Sequence, residues 1–478
     1  MRFRLLASAS LFVVTSCGDG GGGSPPAPIV VNPAPTPSPT PAPTPTNPPS
    51  PLPGTGAGTI EFLHTFGVQE GDGFQPNGPL LLASDGNFYG TTKQGGSPCD
   101  NKEFSAELGC GVIFRVTPNG TESVVYRFKG GPSDGRTPYS GLIQGSDGAL
   151  YGTTTQGGAN ERGIAFRLTL SGDYKILHHF DGARATGDRP IGKLLQASDG
   201  VLYGATIGGG PNNCSGGDCG TIYRLTLGGE YRVIYNFGSQ AGDGAVPTGS
   251  LIEGDDGALY GATVVGGDDT CSDPNLLPRI AGCGTIFRIS KFGSFTVLHA
   301  FGPTTANGIL PSSGLTRGTD GAFYGATARG GAGICINSNG GCGTIFRITP
   351  AGVFSLVYQF SLSSTQLPGE TAPGSDGFTP NGDLWFNRDG VLYGATAAGG
   401  VTTSSDTGTL YSLTTSGSKT ILYRFASSQN GPAVPVGGLV EGAEGVFWGV
   451  TNYNGGLGGV GARTGFGALF RITVPMRP

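Results

Sequence analysis

The chain has 478 residues, 91 of them Gly and 35 Pro, with only 13% charged side chains and a net charge of −5. Its apolar content of 37% is that of a folded protein, so the glycine points to many tight turns rather than to disorder. No basic stripe offers itself to a phosphate backbone, which argues against a nucleic-acid partner.

In chain order, Arg2 and Arg4 precede an apolar stretch from Leu5 to Val14, too short for a mature transmembrane helix and shaped like a secretory signal. It ends in Val14-Thr15-Ser16-Cys17, which resembles the lipobox of bacterial lipoproteins although Val14 and Thr15 depart from the commonest form. That resemblance makes residues 1–17 a signal, Cys17 the lipidated residue, and the lipid the only membrane contact. Gly18 follows, where Asp often marks inner-membrane retention, so a bacterial cell envelope location at the outer membrane is expected. Residues 18–58 are a Gly-, Pro- and Thr-rich stalk that favours polyproline II, with a reach on the order of 80–90 Å if fully extended.

From residue 59 the chain repeats itself. Asp85-Gly86-Asn87-Phe88-Tyr89-Gly90 returns around Tyr151, Tyr203, Tyr260, Tyr324 and Tyr393, and in altered form at Glu444 to Gly449. Each unit reads as four strands: in the first, A at Leu80-Leu81-Leu82, B at Phe88 to Thr92, C at Val112 to Val116 and D at Val124 to Phe128. Asp85-Gly86 and Asn119-Gly120 suit the positive φ values of type I′ hairpin turns. The seventh unit has A, B and C strands but no D after Leu469 to Thr473, whereas Phe62 to Phe66 has the D pattern and stands before the first A strand. The expected fold is therefore all-β: a seven-bladed β-propeller of four-stranded blades over residues 59–474, with an N-terminal strand completing the last blade and residues 475–478 as a tail. A linear solenoid or separate β domains are the alternatives.

The phrases Ser146 to Thr154 and Gly343 to Thr349 resemble the GloVer-type tandem repeat of bacterial exported proteins, over roughly residues 59 to 474. That resemblance implies an array carried outside the cytoplasm, with no catalytic residues to transfer. A more distant likeness is to propeller lyases, whose His and Glu constellation is not recognisable here.

Nine cysteines divide into Cys17 and the pairs Cys99 with Cys110, Cys214 with Cys219, Cys271 with Cys283, and Cys335 with Cys342, each between strands B and C of one repeat. Four local disulfides are expected, worth about 2–3 kcal/mol each, although spacing leaves other connectivities open. Zinc is the rival reading, but these loops lack His and a paired Cys-x-x-Cys. The B to C loops share one end of the array with the D to A connections. They vary in length, so that end is the expected binding surface.

On it, Asp100, Lys102 and Phe104 decorate one cystine loop and Asp268, Asp269, Asp273 and Arg279 another, with Phe74 and Phe378 as stacking platforms. Asp72, Asp134, Asp188, Asp243 and Asp376 add carboxylates from the D to A connections, and Ca²⁺ is left open as a ligand, with no other cofactor expected. The plain alternative for each Asp is a turn residue. A weaker set, Gln144, Gln196, Glu253, Arg317 and Glu441, lies near the end of the innermost strand. His64, His178 and His299 take a D-strand position held elsewhere by Tyr, which marks them as packing variants; only His179 is off-pattern. The Arg repeated on strand C reads as a structural hydrogen-bonder. No catalytic residue stands out: the chain has no Gly-x-Ser-x-Gly elbow and no His-Glu-x-x-His. The expectation is a monomeric binding module for an extracellular glycan or protein, the alternative a carboxylate-dependent hydrolase or lyase acting on an extracellular polymer.

Overall fold

The computed structural model describes residues 58–96, 98–99, 108–182, 186–210, 213–214, 217–268, 271, 282–302, 305–332, 335, 341–361, 364–365, 374–387, 389–400, 407–425, 432–454 and 466–475. These residues are all-β apart from one 3₁₀ turn at Thr305–Asn307, and they form a propeller-like series of antiparallel sheets. The third repeat shows the unit: A at Asp188–Gln196, B at Leu202–Gly208, C at Thr221–Leu225 and D at Tyr231–Asn236, hydrogen-bonded in that order.

The hairpins form for a reason close to the expected one but with a different turn. In the first repeat the Gly86 amide donates to the Ala83 carbonyl (3.0 Å) and Ala83 to Asn87 (2.9 Å), and only the glycine is left-handed, at φ 79°. This is a type I turn followed by a left-handed glycine, not the expected type I′. Asp85 accepts from the Asn87 amide (3.1 Å), which is why Asp precedes Gly. The inner strand is also longer than the apolar run marked A. Gly73–Pro76 pairs with the far end of Phe88–Gly95 while Leu81–Leu82 pairs with its start.

One contact recurs in every repeat. The residue before a proline in strand A has positive φ: Gln75, Thr137, Arg189, Val246, Leu310, Thr379 and Val434, between 52° and 59°. Left-handed backbone costs such residues about 1 kcal/mol or more. Each donates its N–H to a carbonyl just before strand C of the preceding repeat, at 2.8–3.0 Å: Thr137 to Cys110, Arg189 to Arg162, Val246 to Cys219, Leu310 to Cys283, Thr379 to Cys342, Val434 to Thr407 and Gln75 to Phe466. The proline then lies on the glycine after that carbonyl. A Cβ at Gly111, Gly163, Gly220, Gly284, Gly343, Gly408 or Gly467 would meet a proline Cδ at 2.5–2.9 Å.

The last of these seams joins the first repeat to the seventh. Strand Thr59–Thr65 pairs antiparallel with Ala468–Thr473, Arg471 binds Glu61 at 2.7 Å, and Phe88 stacks on Trp448 at 4.5 Å. On the inner strands and the turns beside them, a Cβ at Gly437 would meet Gly78, one at Gly78 would meet Gly141, and one at Gly192 would meet Gly249. The inner strands thus pack backbone to backbone.

Candidate binding face and repeat seams

The two ends of the sheets differ in kind. Gly73 pairs with Gly95, Gly135 with Gly157 and Asp188 with Gly208, so D to A connections and B to C loops share one end. At the other end the turns are alike. There Asp147 is held by Arg167 (2.8 Å) and Tyr151 (2.9 Å), Asp256 by Arg288 (2.7 Å) and Asp320 by Arg347 (2.7 Å). Burial works to raise these carboxyls, but the arginine, tyrosine and backbone bonds outweigh it and hold them below the ordinary range. In these three repeats the strand C arginine is a structural hydrogen-bonder; Arg471 binds Glu61 instead, and the Arg115 Nε is buried without a hydrogen-bond partner.

Four disulfides lie on the variable end: Cys99–Cys110, Cys214–Cys219, Cys271–Cys283 and Cys335–Cys342. The second cysteine of each pair is buried and its carbonyl is the seam acceptor for the next repeat. Each cross-link therefore braces a loop and also pins the strand end on which the neighbouring repeat docks. Disulfides persist in oxidising compartments, and this is an extracellular or envelope protein.

Of the residues expected on this face, Asp100, Lys102, Phe104, Asp269, Asp273 and Arg279 lie outside the described residues, as does the expected lipidation site Cys17. Asp268 is half-buried at the entrance of its loop, its carbonyl taking the Cys271 amide at 3.0 Å. Phe74 and Phe378 lie on the inner strand, each beside a left-handed residue. Phe74 packs on Phe466 (4.8 Å) and Phe378 against the core around Tyr411. Among the described residues, the face brings together the loop bases.

The connecting carboxylates are interior groups. Asp72, Asp134, Asp188, Asp243 and Asp376 are all buried. Asp134 accepts from Tyr126 (2.9 Å), Tyr174 (2.8 Å) and the Lys129 amide (2.9 Å). The inner polar set also has partners. Gln144 holds Ser84 and Gln196 holds Ser146 of the preceding repeats, Glu253 takes Lys291 at 2.6 Å, Arg317 pairs with Asp255, and Glu441 accepts from Gly445 (3.0 Å). Gln144, Gln196, Glu253 and Arg317 link neighbouring turns, Glu253 by also accepting from Ser198, whereas Glu441 closes its own hairpin. The inner strands instead carry a pair the sequence left unremarked: Lys193 Nζ lies 3.7 Å from Asp383, whose Oδ1 accepts from the Gly314 amide (2.9 Å).

A side-chain ladder runs along the outer strands. The D-strand Tyr or His of one repeat stacks on the first residue of the next D strand: Tyr126 on Tyr174 (4.0 Å), His178 on Tyr231 (3.9 Å), Tyr235 on Phe295 (4.1 Å) and His299 on Phe354 (4.0 Å). His178 and His299 are thus packing variants. Three seams break the series. Beside Tyr423 the equivalent residue is the aliphatic Ile60, in the same core cluster. Opposite Tyr358 stands Lys419, paired with Asp376 at 2.8 Å and pushed down to about 8 by burial, which that carboxylate partly offsets. Opposite His64 stands Glu122, and His64 Nε2 lies 3.1 Å from Asp72 and 3.9 Å from Glu122. Burial pushes the Glu122 carboxyl up to about 7. Equivalence to the other D-strand histidines does not foresee this polar grouping. The signal was Glu122 itself, an acid where four other repeats place Tyr or Phe.

The Gloeobacter/Verrucomicrobia repeat model matches residues 53–215, 101–273 and 184–377, together well over half the chain. The chain belongs to that family. Among solved structures it is similar to one titled streptogramin B lyase, at 15% identity and a TM-score of 0.50 over 87% of this chain and 98% of that one. It is similar also to the extracellular domain of a protein described as a hybrid two component system from B. thetaiotaomicron, at 10% identity and a TM-score of 0.50. That match covers 88% of this chain and 41% of the other. At such identities the likeness is one of fold alone. No curated protein matches the chain.

Proposed function

We propose that the protein is an extracytoplasmic binding module, a seven-bladed propeller closed by its N-terminal strand, tethered through Cys17 and a proline-rich stalk, that takes a glycan or protein ligand on its variable end. The closure reading is supported by the pairing of Thr59–Thr65 with Ala468–Thr473 and by the Gln75 to Phe466 seam. One observation carries the binding reading: the two ends are built from the same repeat, yet only one varies. Residues 158–163 complete the B to C loop of the second repeat, whereas residues 266–284 are needed in the fourth. Cystines brace that end, and a rigid scaffold with individual loops is how binding surfaces are carried.

The test is a glycan and peptide array probed with the purified chain, with and without chelator. A captured ligand should be lost on combining Asp268→Ala with Asp269→Ala, or with Phe104→Ala, and retained by Asn119→Ala at the uniform end. Loss only in Asn119→Ala would refute the assignment of the face. Turnover of the captured ligand would replace binding by catalysis.

A further inference from the structure

The strongest unexplained feature is the seam between strand Thr59–Thr65 and the first repeat. His64, Asp72 and Glu122 come from three segments: that strand, the connection after it, and strand Glu122–Arg127. Their ligating atoms all lie within 4.8 Å of one another. The Glu122 side chain is only 10% exposed, and its Oε1 has no hydrogen-bond partner. Asp72 is 4% exposed; its Oδ2 takes the Gly67 amide (2.8 Å) and faces His64, while Oδ1 is also without a partner. Two buried carboxylates with unused oxygens cost free energy unless a cation or proton satisfies them. Among the described residues, the charged group from a packed strand that acts on Glu122 besides these is Arg127, whose Nε is spent on the Gly71 carbonyl at 3.2 Å.

We infer that His64, Asp72 and Glu122 form a divalent transition-metal site, best suited to Zn²⁺, that clasps the first strand to the first repeat. One imidazole nitrogen and two carboxylate oxygens are a donor set for zinc, with water completing a tetrahedron, and are too few oxygens for calcium. A tetrahedral ion with bonds of about 2.0–2.1 Å holds its ligands roughly 3.3 Å apart, so loading draws the three segments together. The other repeats supply the counter-argument to a generic role. Where Tyr174, Tyr231, Phe295 or Phe354 stands in place of Glu122, the seam is closed by ring stacking. This seam has given up the stack for a ligand.

The experiment uses the full chain carrying Cys17→Ala, so that no free thiol competes, freed of metal by chelation and titrated with Zn²⁺ by calorimetry. Thermal unfolding is followed in parallel. One ion per chain and a rise in unfolding temperature reversed by chelator are expected. Glu122→Tyr and His64→Tyr each install the residue that other repeats use. Both should fold, keep the metal-free unfolding temperature, and bind zinc about a hundredfold more weakly or not at all. Absence of zinc binding by the parent chain, or binding unchanged in both variants, overturns the inference, as does preference for Ca²⁺ over Zn²⁺.

Discussion

The residues that matter most for assembly occupy conformations a sequence pattern disfavours. Seven residues before proline are left-handed, among them the β-branched Thr137, Val246, Thr379 and Val434, because each amide must reach a carbonyl of the preceding repeat. The signal was present as a recurring Asp-Gly-x-x-Pro at Asp72, Asp134, Asp243 and Asp376, but its proline partners a glycine in another repeat. Histidine packing has a measurable consequence. Burial holds His178 and His299 down to about 4, and the Nε2 atoms of both are buried without hydrogen-bond partners. The unfolded chain takes up these protons from about pH 6.5, the folded chain only near pH 4, so the unfolded state binds more protons across that window. Stability should fall as pH drops from 6.5 to 4. Combining His178→Tyr with His299→Tyr should flatten that slope in scanning calorimetry; an unchanged slope would assign it to other groups.

At the scale of elements, the proposed closure rests on the strand Thr59–Thr65, which pairs with Ala468–Thr473. This strand contributes buried Ile60, is followed by buried Phe66, and covers the edge of Ala468–Thr473. Losing Ile60 and Phe66 alone forfeits about 2–5 kcal/mol each, and the uncovered edge adds a route to aggregation. Deleting residues 59–66 should therefore lower the denaturation midpoint strongly, whereas deleting Pro33 to Pro53 should leave it unchanged. Equal midpoints would sink the closed ring. The strand was legible because its Phe62 to Phe66 pattern matches a D strand. The extent of the inner strand was not, because Gly73–Pro76 holds its place through pairing with strand B rather than through apolar periodicity.

For the whole molecule, the reading as a tethered module rests on the N-terminal address. Among the described residues no helix is long and apolar enough to cross a membrane. Cys17→Ala should abolish lipid labelling and release the protein from the membrane fraction, while persistent tight attachment would reveal another anchor. The sequence alone determined what is local and repeated: the four-strand unit, the turn glycines, the four cystine pairs and the strand C arginines. Each follows from backbone preference or short-range spacing and recurs often enough to be read without coordinates. Tertiary structure alone decided which polar groups are buried at the seams. Asp134 looks like an exposed turn carboxylate in the sequence, and it becomes the interior acceptor of two tyrosines because the next repeat packs over it. Glu122 and His64, separated by strands A, B and C of the first repeat, become neighbours for the same reason: burial is set by the adjoining sheet, and no periodicity within one strand records it.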